Sequence, residues 1–171
     1  MAALRLQWVG WIVLACALVA APAAQARSSD DAARATFLIL LGKYVTWPAG
    51  AFASPTAPLV VAVVGNPALV GELQALARGQ QIEGRAVEVR SAPDAAAAAG
   101  AHIVFVSDAA QSNALAAERP LRVSDRGRLA DTDIAIRMES GRVAFAVNRK
   151  DVERRGLKLS SKLMRLASSF D

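Results

Sequence analysis

Few side chains here are equipped for chemistry, and their spacing brings little of it together. His102 is the only histidine and Cys16 the only cysteine among 171 residues. A zinc site draws on about three or four ligands of such types, so none is expected. A Ser-His-Asp triad would have to be built on His102. That residue opens the apolar run Ile103-Val104-Phe105-Val106 and reads as a structural or edge histidine. Ser107-Asp108 and Ser124-Asp125 each follow a strand-like run. Strand ends of α/β sheets do host ligands, while serine and aspartate there also serve as turn and capping residues. Asp131 and Asp133 stand two apart. Paired carboxylates can act as acid and base, but these read as loop residues. Gly65-Asn66-Pro67 could aim backbone N–H groups at an anion. It lacks the dinucleotide glycine pattern and the P-loop lysine, and Pro67 removes one donor. The residue set therefore predicts a protein that binds rather than reacts, with no cofactor and no metal.

The start of the chain predicts where it works. Arg5 is followed by an apolar run from Trp8 to Ala21, broken only by Gly10, and then by Ala24-Gln25-Ala26. This is the charged start, apolar centre and small-x-small end of a secretory signal. The run is shorter than the roughly 20 residues a membrane span needs. The expectation is a signal over residues 1–26, cleaved after Ala26, and a single domain over residues 27–171 in the periplasm. A second reading takes Val13-Leu14-Ala15-Cys16 as a lipobox, with Cys16 acylated. On the first reading Cys16 is discarded, and the mature domain cannot use the disulfides common in exported proteins. Composition suits a domain held by its core, being 54% hydrophobic. The net charge of +5 is spread along the chain, which favours solubility. No basic stripe interleaves with aromatics, so nucleic acid is not an expected partner.

The elements that must position these residues alternate. Ser29-Asp30-Asp31 predicts a helix start, with Ser29 as cap and the acids at the positive end of the dipole. The helix is expected to reach about Val45, stopping before Trp47-Pro48. Ala33, Phe37, Leu40, Leu41 and Tyr44 share one face, and Leu38, Ile39 and Val45 make the other side apolar too. Residues 59–64 form a β-branched run expected of a strand buried on both faces. A helix around residues 68–77 follows, with Pro67 suited to its first turn. Residues 85–90 alternate as a more exposed strand. Helical stretches are expected at 93–99, 109–117, 149–155 and 160–169, with strands at 102–106 and 120–123. Ile134, Ile136 and Met138, then Ser140-Gly141, then Val143, Phe145 and Val147 make a β-hairpin. This order predicts a mostly parallel sheet covered on both faces, with an antiparallel hairpin at one edge.

Two stretches bear on binding. Trp47, Pro48 and Phe52 could form an apolar contact at the end of the first helix, tryptophan being a favoured interface anchor; equally, Trp47 could simply cover the core. In the last helix Leu159, Leu163 and Leu166 are expected to pack on the core, with Lys158, Lys162 and Arg165 in solvent.

Several segments together resemble a known family. Gly42-Lys43-Tyr44-Val45-Thr46-Trp47-Pro48 is similar to the end of the first helix in YfiR-type periplasmic proteins. Residues 58–65 resemble their first strand and glycine turn, and residues 101–107 their central histidine strand. The tail matches best, in Gly141-Arg142-Val143, Phe145, Val147-Asn148 and Arg155-Gly156-Leu157-Lys158-Leu159-Ser160-Ser161-Lys162-Leu163. The resemblance spans about residues 32–167. It implies a three-layer α/β/α sandwich, often a homodimer, that is not an enzyme. It also implies binding to the periplasmic part of an inner-membrane diguanylate cyclase or sensor kinase, with an outer-membrane lipoprotein as a further partner. Output would then be the level of cyclic di-GMP. Ala101 stands where such proteins often carry a cysteine, and Arg128-Leu129-Ala130-Asp131-Thr132-Asp133 replaces a glycine-rich piece. The alternative is a small-molecule sensor with its ligand at the carboxyl ends of the strands, near Asn66, Ser107 and Ser124.

Overall fold

Residues 59–64 carry six apolar side chains in a row, which only a strand covered on both faces can accommodate. All six are buried, as β2 (Leu59–Val64). The computed structural model describes residues 21–107, 120–126 and 128–168. Before β2 lie helix α1 (Ala21–Tyr44) and the short β1 (Val45–Thr46). After it come α2 (Pro67–Ala77), β3 (Gln81–Ile82) and β4 (Arg85–Ala92). A 3-10 turn (Ala96–Ala98) leads to β5 (Ile103–Val106), and β6 (Leu121–Ser124) follows. The hairpin of β7 (Ile134–Glu139) and β8 (Arg142–Val147) precedes α3 (Arg149–Arg154), β9 (Lys158–Leu159) and α4 (Ser161–Met164).

Seven strands form one sheet in the order β3-β4-β2-β5-β6-β7-β8. β4, β2, β5, β6 and β7 are parallel, while β3 and β8 are antiparallel edges. The predicted hairpin has the register Glu139↔Arg142 around Ser140-Gly141. Side chains alternate across the strands. Leu59, Val61, Val63, Ile103 and Phe105 face the larger core under α1 and α2. Val60, Ala62, Val64, Val104 and Val106 face a second one closed by Ala95, Ala98 and Ala101. The mixed α/β sandwich with a mostly parallel sheet is thus the observed fold.

Several local expectations are corrected. The first helix starts at Ala21, not Ser29. Ala21, Ala23, Ala24 and Ala26 are strong helix formers, and Pro22 is tolerated in a first turn. Its buried stripe also differs. Ala35, Leu38 and Leu41 are buried, whereas Leu40 is 40% exposed. With both sides apolar, packing against the sheet chose the stripe. The helical stretch at 93–99 is only the 3-10 turn, and that at 160–169 stops at Met164. There Ser168 donates its N–H to the Phe145 carbonyl at 2.7 Å, drawing the chain along β8, and Leu166 is exposed rather than packed. The helix expected at 109–117 lies outside the described residues, as do residues 1–20.

Gly42 lets α1 sit close on the sheet. A Cβ there would stand 2.6 Å from Leu59 Cδ2 and 2.9 Å from Ile82 Cδ1, both in buried side chains. Gly42→Val is expected to lower stability by about 1–3 kcal/mol through overpacking. Urea unfolding checks this; a loss under about 0.5 kcal/mol, typical of a surface position, would show that the two side chains swing aside.

Candidate functional site

The end of α1 is held by the tail of the chain. β1 pairs antiparallel with β9, Val45 opposite Leu159 and Thr46 opposite Lys158. Ser160 donates its N–H to the Tyr44 carbonyl at 2.9 Å. Pro48 lies against Gly156, whose Cβ position is 3.5 Å from the proline ring. The two segments that carry the family resemblance most clearly, around Trp47 and around Leu159, are therefore neighbours in space.

From this anchor residues 47–58 loop over the amino-terminal edge of the sheet, and His102 is their post. Its Nδ1 accepts the Val60 N–H at 3.0 Å, which leaves the proton on Nε2 to be donated to the Ala51 carbonyl at 3.1 Å. The ring stacks on Phe52 at 4.3 Å and meets the edge of Trp47 at 5.5 Å. Trp47 and Phe52 are edge to face at 6.1 Å. Arg85 closes the loop. Its guanidinium lies 3.8 Å above the Phe52 ring and donates to the Ser54 and Ala57 carbonyls at 2.9 and 2.8 Å. Trp47, Pro48 and Phe52 are thus brought together, each half-buried, beside a cleft of about 230 Å³ floored by Ala101, His102 and Pro120. The cluster presents rigid apolar surface, and both His102 nitrogens are already engaged.

Burial holds the His102 pKa below its ordinary 6.5; the bond to Ala51 opposes this, and Arg85 and Arg90 add to it. The unfolded chain therefore takes up a proton near pH 6.5 that the fold accepts only at lower pH. Between those values the unfolded state binds more protons, so this contribution to stability is lost as pH falls below about 6.5. His102→Gln, which keeps a donor and an acceptor but does not titrate, is expected to flatten the dependence. Denaturation midpoints across that range decide; a slope unchanged by the substitution would exclude His102 as its source.

Asn66, Ser107 and Ser124 stand at the carboxyl ends of the neighbouring strands β2, β5 and β6. The register aligns Val64, Val106 and Ser124 across the three strands. Chain order reverses between β2 and β5, the usual ligand crevice of such sheets. Here the crevice is largely self-occupied. Asn66 caps α2 through Leu69 N–H and donates to Asp31 at 3.0 Å. Ser124 is buried and accepts from Arg126 N–H at 3.2 Å. Arg34 bridges Asp31 at 3.0 Å and Asp125 at 3.4 Å. Burial raises the Asp125 pKa above the ordinary carboxylate range, with Arg34 opposing.

A third cluster gives Asp133, which lies in the bend just before β7 as expected of a loop residue, a buried ion-pairing role that the sequence reading did not foresee. Arg122, in the middle of the apolar β6, needs a buried anion, and Asp133 supplies it at 2.9 Å, itself fully buried. Arg155 approaches the same carboxylate at 3.4 Å, and Asp151 stands 3.7 Å from Arg122. The signal was an arginine inside Leu121-Arg122-Val123, which asks for a carboxylate nearby. Arg85 carried no comparable mark. Ion pairing on all sides makes Asp133 a structural group, not half of an acid–base pair.

No helix among the described residues is long and apolar enough to cross a membrane. A search of curated proteins gives no match to this chain. The family model described as YfiR/HmsC-like, DUF4154, matches residues 31–168, which takes in the helix, the sheet and the tail that build the aromatic cluster. With most of its length matched, this chain belongs to the YfiR/HmsC-like family of regulatory proteins linked to cyclic di-GMP signalling.

Proposed function

We propose that this protein is a non-enzymatic periplasmic regulator, delivered by a signal cleaved after Ala26. It binds the periplasmic part of an inner-membrane diguanylate cyclase or histidine kinase and alters that protein's output. The observation that supports this is the Trp47–Pro48–Phe52 face. Half-buried aromatics held in place by His102 and Arg85 beside a cleft have the make-up of an interface anchor, because rigid side chains lose little entropy on docking. An outer-membrane lipoprotein that sequesters the regulator would compete for it. The test is capture of the exported protein by the periplasmic segment of the membrane cyclase or kinase encoded beside it. Micromolar binding is expected, and deletion should shift cyclic di-GMP where that neighbour is a cyclase. No binding at micromolar concentration would overturn the proposal.

One observation favours a second reading, a small-molecule site near Asn66, Ser107 and Ser124. Among the described residues Asp125 Oδ1 meets no hydrogen-bonding partner, and Arg34 Nε has only its 3.4 Å ion pair with Asp125 Oδ2 and no hydrogen bond, although both are buried there. A small polar ligand offering one acceptor and one donor would satisfy both. Thermal stabilisation by such a metabolite, abolished by Asp125→Ala, would support this reading over the first.

A further inference from the structure

Among the described residues, one hydrogen bond ties residues 48–53 to the rest of the fold: His102 Nε2 donates to the Ala51 carbonyl at 3.1 Å. The bond from Ala51 N–H to the Pro48 carbonyl closes only a turn within the loop. Arg85 takes hold further on, at Ser54 and Ala57. Ala49, Gly50, Ala51 and Ala53 have side chains of little reach, so the segment cannot fix its own shape.

That one bond depends on a neutral ring. Nδ1 accepts the Val60 N–H at 3.0 Å, whereas a protonated imidazole has two donors and no acceptor. Adding the proton sets an N–H against the Val60 N–H, and neither backbone can step back. Val60 lies in the buried β2. The His102 N–H donates to the Val60 carbonyl at 2.9 Å, and the His102 carbonyl accepts the Leu121 N–H at 2.7 Å. The ring itself has to turn, and turning gives up both the Ala51 bond and the stack on Phe52. The surroundings offer no anion in compensation. Residues 47–64 and 103–106 carry no charged side chain. From β4 come Arg85 and Arg90, both of which work against a charged ring. Glu88 on the same strand is bonded to Arg90 at 2.8 Å, and Arg122 of β6 is bonded to Asp133. Glu83 and Arg85 line a second cavity along the loop, and Lys158 stands opposite Thr46. The Phe52 ring can support a cation, but it already carries the Arg85 guanidinium at 3.8 Å.

We propose that His102 is a proton-operated catch: its neutral ring holds residues 48–53, and with them the Trp47–Phe52 face, and its charged ring lets them go. Histidine is the side chain whose charge changes near neutral pH. Affinity for the membrane partner then falls as the medium turns acid, a consequence that rests on the reading of Trp47 as the partner's anchor. A single proton limits the fall to about tenfold per pH unit.

His102 is the only histidine, so nuclear magnetic resonance of the full chain follows its ring without ambiguity. On acidification from about pH 7.5 to about 4.5, the imidazole, the Val60 amide and the Trp47 indole are expected to shift together, with one midpoint below 6.5. A ring that titrates while Val60 and Trp47 stay still overturns the proposal, as does a ring that stays neutral throughout. Titration calorimetry uses the periplasmic segment of the neighbouring cyclase or kinase. Affinity is expected to weaken about threefold or more between about pH 7 and about pH 5, and folded His102→Gln should lose that dependence. Affinity indifferent to pH, or a dependence that survives the substitution, also overturns the proposal. A segment that binds at no pH overturns the proposed partner instead, and the resonance titration alone then decides on the catch.

Discussion

Asp133→Ala is expected to cost about 3–5 kcal/mol of folding stability, the loss typical of breaking a buried ion pair on one side. Asp133 has no exposed surface. Its Oδ2 accepts the Arg122 backbone N–H at 2.8 Å and Arg122 Nε at 3.3 Å, while Oδ1 faces Arg122 Nη2 at 2.9 Å. Alanine withdraws all three, and Arg122, a residue only 4% exposed, keeps its charge with much of its compensation gone. Arg155 loses its contact to the same oxygen. Asp133→Asn retains one acceptor and should cost less. The control is Glu153→Ala, which breaks the ion pair with Arg149 at the same 2.9 Å separation. Both of those side chains are well exposed, so the change should stay within about 0.5 kcal/mol. Chemical denaturation of the three variants measures the contrast. If Asp133→Ala and Glu153→Ala cost the same, burial is not what gives the Arg122 network its weight.

The second large effect falls on binding. Trp47→Ala is expected to weaken association with the membrane partner's periplasmic segment by about 2 kcal/mol, roughly thirtyfold. Trp47 also packs against the main core, so truncation will cost some stability, and binding must be read on folded protein. Trp47→Phe separates the two roles. It keeps an aromatic ring over the core, and most of the stability, but shortens the reach into a partner's pocket. An anchor loses affinity in both variants. A residue that only covers the core loses stability in the alanine variant and leaves affinity unchanged in both. Titration calorimetry beside thermal unfolding distinguishes these outcomes.

How much was legible in the sequence follows from which interactions are local. The β-branched run 59–64 and the Ser140-Gly141 hairpin announce themselves, because burial on both faces and a tight turn each leave a short-range pattern. The stripe on α1 did not. Leu38, Leu40 and Leu41 are equivalent as residues, and only contact with the sheet exposes Leu40. β1 and β9 are two residues each, too short for any periodicity, and exist because distant segments meet. Trp47, Pro48 and Phe52 are near in sequence, so their grouping was readable. The histidine beneath them, just before β5, and the Arg85 above, opening β4, come from distant parts of the chain. Asn66, Ser107 and Ser124 were placed at strand ends by the alternation of elements, but the Asp31–Arg34–Asp125 chain that fills the same crevice depends on how α1 lies across it.

The pairing of β1 with β9 has a consequence for timing. Chains emerge amino-terminus first, and contacts between distant residues are slow to form because the loop between them must close. Val45 and Thr46 must wait for Leu159 and Lys158, almost the whole domain later. Pro48 likewise waits for Gly156. The aromatic loop is held by His102 and Arg85, but its first residues also depend on those contacts, so its anchoring is completed among the last parts of the molecule. An unfinished or carboxy-terminally clipped copy would have a sheet but no settled Trp47 face. The last residues of the domain thereby complete the anchoring of its first loop.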